Sequence, residues 1–243
     1  MNQVVIVTGG SRGIGAATSL LLAQQGYAVC VNYRANRASA DKVVEAITQT
    51  GGRAFAMQAD IAKEEDVIAL FTATQQRFGP VTHLVNNAGI LDKQSRLVEM
   101  SVARFRHVLD TNVTGCFLCC REALKQMPSG GAIVNVSSAA SRSGAPFEYI
   151  DYAASKGAMD TLTKGLSLEV AAQGIRVNAV RPGFIYTEMH ADGGEPGRVD
   201  RLAPNIPLQR GGTPEEVANA IAWLLSDEAS YVTGSFIDLA GGR

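Results

Sequence analysis

Tyr152 and Lys156 stand four residues apart in the run Tyr152-Ala153-Ala154-Ser155-Lys156. On a helix that spacing puts both on one face, with Cβ atoms roughly 5–6 Å apart. An unperturbed tyrosine has a pKa of about 10, so its phenol holds its proton at neutral pH. A cation fixed within about 4–6 Å favours the phenolate and lowers that value. The pair is therefore expected to form an acid whose pKa Lys156 draws down towards the working pH, as general acid–base catalysis requires. Pairs of this kind are also ordinary features of helix surfaces, so this one gains its meaning from the rest of the chain. Tyr149 competes weakly, because its i+4 partner is Ala153.

The second chemical feature is Thr8-Gly9-Gly10-Ser11-Arg12-Gly13-Ile14-Gly15, between a short apolar run and a helical pattern. Gly9, Gly13 and Gly15 fall where a dinucleotide-binding fold sets pyrophosphate against backbone N–H groups and a helix N-terminus. Two other motifs fail. Gly9 to Gly13 matches G-x-S-x-G, but Ser11 follows the first strand, so no earlier loop can supply the second oxyanion donor of a serine hydrolase. A P-loop needs Gly-Lys-Ser/Thr, whereas Gly15 is followed by Ala16 and Ala17. An NAD-binding site usually has an acid about 20 residues past the loop, on the ribose hydroxyls. Here that stretch is Asn32-Tyr33-Arg34, with no acid until Asp41. Arg34 and Arg12 would suit a 2′-phosphate, since the planar guanidinium matches that group. The pattern favours NADP(H) over NAD(H).

Apolar runs and helical patterns alternate along the chain. Strands are expected at 4–8, 28–33, 53–59, 81–86, 132–137, 175–181 and 235–239. Helices are expected at 16–25, 37–50, 63–77, 101–127, 151–172 and 214–226. That order specifies an α/β fold: one Rossmann-type, doubly wound parallel sheet of about seven strands with helices on both faces. No composition shift divides residues 1–243, so a single domain is expected. The stretch 184–213, rich in Pro and Gly, is expected to be a lid over the carboxyl edge of the sheet.

The formal charge is −1 and the pI about 6.3. This balance gives no reason to expect nucleic acid or an anionic membrane as partner. The N-terminal run is too short for a signal peptide, and no apolar stretch approaches a membrane span; a cytoplasmic location is expected. Four cysteines are present. Cys116, Cys119 and Cys120 lack the His or second Cys pair that would complete a zinc set, so they and Cys30 are expected as buried free thiols, with no metal. His83, His107 and His190 are isolated and expected to be structural.

The ordered set Thr8 to Gly15, Asp60, Asn86-Asn87-Ala88-Gly89, Asn112, Ser138, Tyr152-x-x-x-Lys156 and Pro182-Gly183 resembles the short-chain dehydrogenase/reductase family over essentially the whole length. It looks closest to NADP(H)-dependent members that reduce 3-oxoacyl thioesters, ketones, aldehydes or sugars. The resemblance implies that Tyr152 donates a proton to the carbonyl oxygen and that Lys156 lowers its pKa and binds the nicotinamide ribose. Ser138 would bond the substrate oxygen, and Asn112 would bind the water linking Lys156 to solvent. Cofactor contacts would come from Gly9, Ser11, Arg12, Gly13, Ile14 and Gly15, and from Asn32, Tyr33 and Arg34. Asp60, Ile61, Asn87, Ala88 and Gly89 would add to these, with Pro182, Gly183, Ile185 and Thr187 flanking the nicotinamide beside Tyr152 and Lys156. Two bland readings compete: Asp60 as a helix N-cap and Asn112 as a helix kink. Ser137 and Ser138 are neighbours and face opposite sides of a strand, so only one addresses the cofactor; Ser138 is the choice. The segment 144–149 is slightly longer than in many relatives and would border the substrate, with Glu148 and Tyr149 as specificity groups or loop surface.

The expected function is hydride transfer between NADP(H) and a small carbonyl or alcohol substrate. A non-catalytic NADP(H)-binding sensor or scaffold is the alternative, disfavoured because a sensor needs only the glycine loop. Helices 101–127 and 151–172 carry more small and apolar residues than one sheet contact needs, among them Cys116, Cys119, Ala153, Ala154, Gly157 and Ala158. The resemblance implies a homotetramer through these helices, with a dimer as the alternative. The C-terminal run 237–242 would add a second contact.

Overall fold

The structure, a computed structural model, describes residues 3–243. Seven parallel strands form one sheet in the order β3-β2-β1-β4-β5-β6-β7. The first three are β1 (Val4–Val7), β2 (Ala28–Tyr33) and β3 (Arg53–Gln58). They are followed by β4 (His83–Asn86), β5 (Ala132–Val136), β6 (Arg176–Pro182) and β7 (Phe236–Leu239). Strands covered on both faces read as continuous β-branched runs, and Val4-Val5-Ile6-Val7 is buried throughout. Alternation along β1 and β2 sends Val5, Val7, Val29 and Val31 into one core and Ile6 and Cys30 into the other.

The first core is covered by α1 (Gly13–Gln24), α2 (Arg37–Gln49) and α10 (Pro214–Leu225). The second lies under α3 (Glu64–Phe78), α5 (Gly115–Leu124) and α7 (Ile150–Glu169). Local chemistry sets the helix ends. Asn36 accepts from the Ser39 N–H to start α2, and Thr213 with Glu216 forms a reciprocal capping box on α10. This is a Rossmann-type arrangement. Strand order reverses between β1 and β4, which opens a crevice at their carboxyl ends.

The helix expected at 101–127 is present as one continuous helical run, α4 (Val102–Leu109), a π-helical turn at Asp110–Thr114, and α5. The wider turn carries the fully buried Asn112, whose amide spans two other segments. Sequence periodicity does not register a single extra residue per turn. Within the stretch 184–213 the chain forms α8 (Met189–Asp192) and α9 (Arg198–Leu202). Both are too short to show a helical repeat. No helix among the described residues is long and apolar enough to cross a membrane.

Candidate active site

The carboxyl ends of β1, β4, β5 and β6 lead into a cavity of about 690 Å³, whose walls include Ile14, Asn87, Ser138, Tyr152, Lys156, Pro182, Gly183, Ile185 and Thr187. Ser138 follows β5 at the rim, where its Oγ also accepts from the Ala140 N–H at 3.1 Å. Its hydroxyl lies beside the Tyr152 phenol in the same cavity wall, close enough to oppose the rise of the phenol's pKa. Ser137 faces the other way, buried, with its hydroxyl on the Lys156 carbonyl at 3.3 Å. Two hydroxyls, Ser138 and Tyr152, thus converge from a strand end and a helix face, a geometry that can donate two hydrogen bonds to one oxygen.

The electrostatics differ from the expectation. Burial pushes the Tyr152 phenol up to about 12, against a smaller opposing effect from Ser138. Lys156 does not draw it down. The ammonium is 2 % exposed and donates to the Val136 carbonyl at 2.7 Å, with the Met159 sulfur at 3.4 Å. Its Nζ is 5.5 Å from the centre of the Tyr152 ring. Burial lowers Lys156 itself to about 8, with Cys116 and Asp160 acting in the opposite sense. Desolvation dominates both shifts because each group is enclosed, and the ammonium is held by a backbone carbonyl.

Asn112 is likewise more occupied than expected. Its Oδ1 accepts from the Ile90 N–H at 2.8 Å, and its Nδ2 donates to the Ile90 carbonyl and the Ser155 hydroxyl, each at 2.9 Å. It ties the loop after β4 to α7. A Cβ on Gly89 would lie 3.4 Å from both Asn112 Oδ1 and Lys156 Nζ, so glycine keeps the space between amide and ammonium open.

The glycine loop is a tight cradle. A Cβ on Gly15 would stand 2.2 Å from the Gly9 carbonyl oxygen, and Gly9 adopts φ +60°. Asn87 Nδ2 donates to the carbonyls of Thr8 and Gly9, both at 3.0 Å. The N-terminus of α1 has no side-chain cap and no acidic residue in its first turn. Its free N–H groups and positive end suit a phosphate, so the loop fits a dinucleotide.

The remaining expected contacts lie outside the cavity, towards the ends of β2 and β3. Asn32 is 2 % exposed and sits beneath the loop, with Oδ1 accepting from the Gly9 N–H at 3.2 Å and Nδ2 reaching the Ala59 carbonyl at 3.1 Å. Tyr33 and Ile61 are also buried, and Ile61 fills the space a Gly115 side chain would need. Arg34 is exposed, and Arg12 is paired with Asp192. Asp60 accepts from the Ala62 N–H at 3.1 Å, an Asx turn just ahead of α3.

Sequence reasoning missed three polar assemblies around the site. Asp151, fully buried beside Tyr152, is gripped by Arg104 of α4 through contacts of 2.7 and 3.2 Å, and it also accepts from the Tyr152 N–H. Asn86 donates to Asn135, and Asn135 to Thr163 on α7. Arg198 of the lid, 6 % exposed, pairs with Glu148 and Glu195 over the Tyr149 and Phe184 rings. An Asp directly before Tyr152 on a helix face with buried neighbours was the one readable signal. His83 and His190 hold internal bonds, to Thr82 and the Ile185 carbonyl, while the described cysteines are free and buried.

A family model described as enoyl-(acyl carrier protein) reductase matches residues 9–243. A crystal structure described as a short chain dehydrogenase from Burkholderia cenocepacia J2315 in complex with NADP superposes with a TM-score of 0.92 at 32% identity, covering 99% of this chain and 97% of that one. The chain belongs to the short-chain dehydrogenase/reductase family. Short-chain dehydrogenases are oxidoreductases that use a nicotinamide cofactor. The uncharacterized oxidoreductase YgfF of Escherichia coli (strain K12) is 68% identical over 245 residues, 99% of each chain. The 3-oxoacyl-[acyl-carrier-protein] reductase FabG of Staphylococcus epidermidis is 41% identical over 244 residues, covering 100% of this chain and 99% of that relative.

Proposed function

We propose that this short-chain dehydrogenase/reductase is an NADP(H)-dependent carbonyl reductase, with Tyr152 as proton donor. The observation that carries the reading is the meeting of the Ser138 hydroxyl, the Tyr152 phenol and the Lys156 ammonium at one cavity wall. Bound NADPH supplies the hydride.

The chain's own groups do the rest. A phenol raised to about 12 is fully protonated at neutral pH, the state needed to deliver a proton to an alkoxide. Ser138 and Tyr152 hold the substrate oxygen between two donors, which favours the developing negative charge over the neutral carbonyl. Lys156, low enough at about 8 to exchange its proton, returns one to the phenolate after transfer. The α1 N-terminus and the glycine cradle receive the pyrophosphate, and Arg12 with Arg34 receives the 2′-phosphate, a charge pattern that supports NADP(H) over NAD(H). The solved relative in complex with NADP supports the same choice. Residues 184–213 act as substrate lid, supported by the place of Phe184, Met189, His190 and Arg198 in the cavity wall.

The 41% identical 3-oxoacyl reductase supports a 3-oxoacyl thioester among the substrates, beside simpler ketones, aldehydes or sugars. Assembly into a homotetramer is supported by exposed Val102, Phe105, Phe117 and Leu168 on α4, α5 and α7. Cys116, Cys119 and Ala153 do not contribute to that face, because all three lie in the chain's own core or buried beside it.

The test is nicotinamide absorbance, followed while the protein meets NADPH or NADH with a panel of these carbonyl compounds. The expected result is oxidation of NADPH in preference to NADH by at least one of them. Failure of every carbonyl to oxidise either cofactor would contradict the proposal.

A further inference from the structure

The lid reaches the phosphate end of the cleft through acidic side chains. Arg12 is paired with Asp192, the last residue of α8, at 2.5 Å. Glu188, four residues earlier, brings Oε2 within 3.6 Å of the point where a Cβ on Gly13 would stand. Gly13 opens α1, whose first turn has no acidic side chain of its own. Two lid carboxylates therefore stand at the two positive features of the glycine loop, the helix N-terminus and the Arg12 guanidinium. An anion in either place satisfies free N–H donors and a local positive field.

We infer that Asp192 is a specificity-determining residue: it occupies Arg12 in place of the 2′-phosphate, and so handicaps NADP(H) binding while leaving NAD(H) binding unaffected. The inference rests on the proposal that Arg12 receives that phosphate. The carboxylate holds the guanidinium through Nη2 alone. A phosphate reaching that nitrogen must displace it, while one on the other edge meets only its negative charge. A dinucleotide without the 2′-phosphate makes no demand on Arg12 and leaves the pair in place. The same competition ties the glycine loop to the lid, since the pair joins residues 180 positions apart in sequence. Affinity measured for a site that is only partly available is reduced by the available fraction. Both partners are about half exposed, at 53% and 49%, which keeps the handicap small.

Calorimetric titration of the full-length protein with NADP⁺ and with NAD⁺ tests this. Asp192→Asn is expected to tighten NADP⁺ by about two- to five-fold and to leave NAD⁺ unchanged. In the Arg12→Ala background the same substitution is expected to do nothing, because the group competed for is gone. Equal tightening of both dinucleotides, or a gain that persists without Arg12, would mean that Asp192 acts only as a nearby negative charge, and would overturn the inference. No change in NADP⁺ affinity would overturn it too. The underlying proposal has its own control: Arg12→Ala alone must weaken NADP⁺ relative to NAD⁺. If it does not, Arg12 is not the phosphate's partner and both ideas fall; if it does and Asp192→Asn is silent, only the inference about Asp192 falls.

Discussion

The floor and the cover of the cleft are built from different materials. The floor is strand ends and α7, with Lys156, Asp151, Asn135 and Asn112 each at 2 % exposure or less and each hydrogen-bonded within the fold. The cover is two short helices held by ion pairs, Arg198 to Glu148, Arg201 to Glu195 and Arg12 to Asp192, of which the last two pairs are substantially exposed. A buried polar group left without its partner is costly, whereas an exposed ion pair contributes little. Under the proposed function, the reacting groups sit in the buried, hydrogen-bonded floor and the residues proposed to discriminate between ligands sit in the more exposed cover.

That contrast can be broken first at the Arg104–Asp151 pair. Arg104→Met leaves an unpaired carboxylate in the floor and is expected to cost about 3–5 kcal/mol, read as a fall in the urea midpoint. The double variant with Asp151→Asn should recover much of the loss, since no charge then lacks a partner. Next is Ser138→Ala, expected to raise the barrier to reduction by about 2.7–4 kcal/mol with NADPH affinity held, as single-turnover rates and calorimetry would show. A third effect is pH-dependent. Burial lowers His83 to about 4, so on acidification the unfolded chain takes the proton before the folded one does. Stability from this group is intact above pH 6.5 and lost towards pH 4, by at most about 1.4 kcal/mol per pH unit. His83→Phe should flatten that part of the curve of unfolding free energy against pH. The smallest effect belongs to the cover. Arg201→Met, which removes an exposed pair with Glu195, should leave kcat and the urea midpoint near wild type. A midpoint that fell as far as in Arg104→Met would erase the distinction between floor and cover.

Most of the floor was legible in the sequence. Strand–helix alternation gave the sheet. Motif spacing anticipated that Gly9, Gly13 and Gly15 would form the turn from β1 into α1 and that Ser138, Tyr152 and Lys156 would share one cavity wall. The electrostatics were not legible. A four-residue spacing places Lys156 near Tyr152, but nothing in the chain announces that the Val136 carbonyl takes the ammonium or that burial lifts the phenol. Partners far apart in sequence, such as Arg104 with Asp151 and Arg198 with Glu148, were equally hidden, since only the fold brings them together. Asn32 looked like a cofactor contact from its place at the end of β2, yet its amide is spent supporting Gly9 and Ala59.

The most direct test is the Tyr152→Phe variant loaded with NADPH and mixed with a carbonyl substrate that the wild type reduces. The expected result is NADPH affinity within about two-fold of wild type and a hydride-transfer rate at least about a hundred-fold lower, because the ring remains and only the donated proton is lost. Reduction at the wild-type rate would contradict the assignment of Tyr152 as the proton donor.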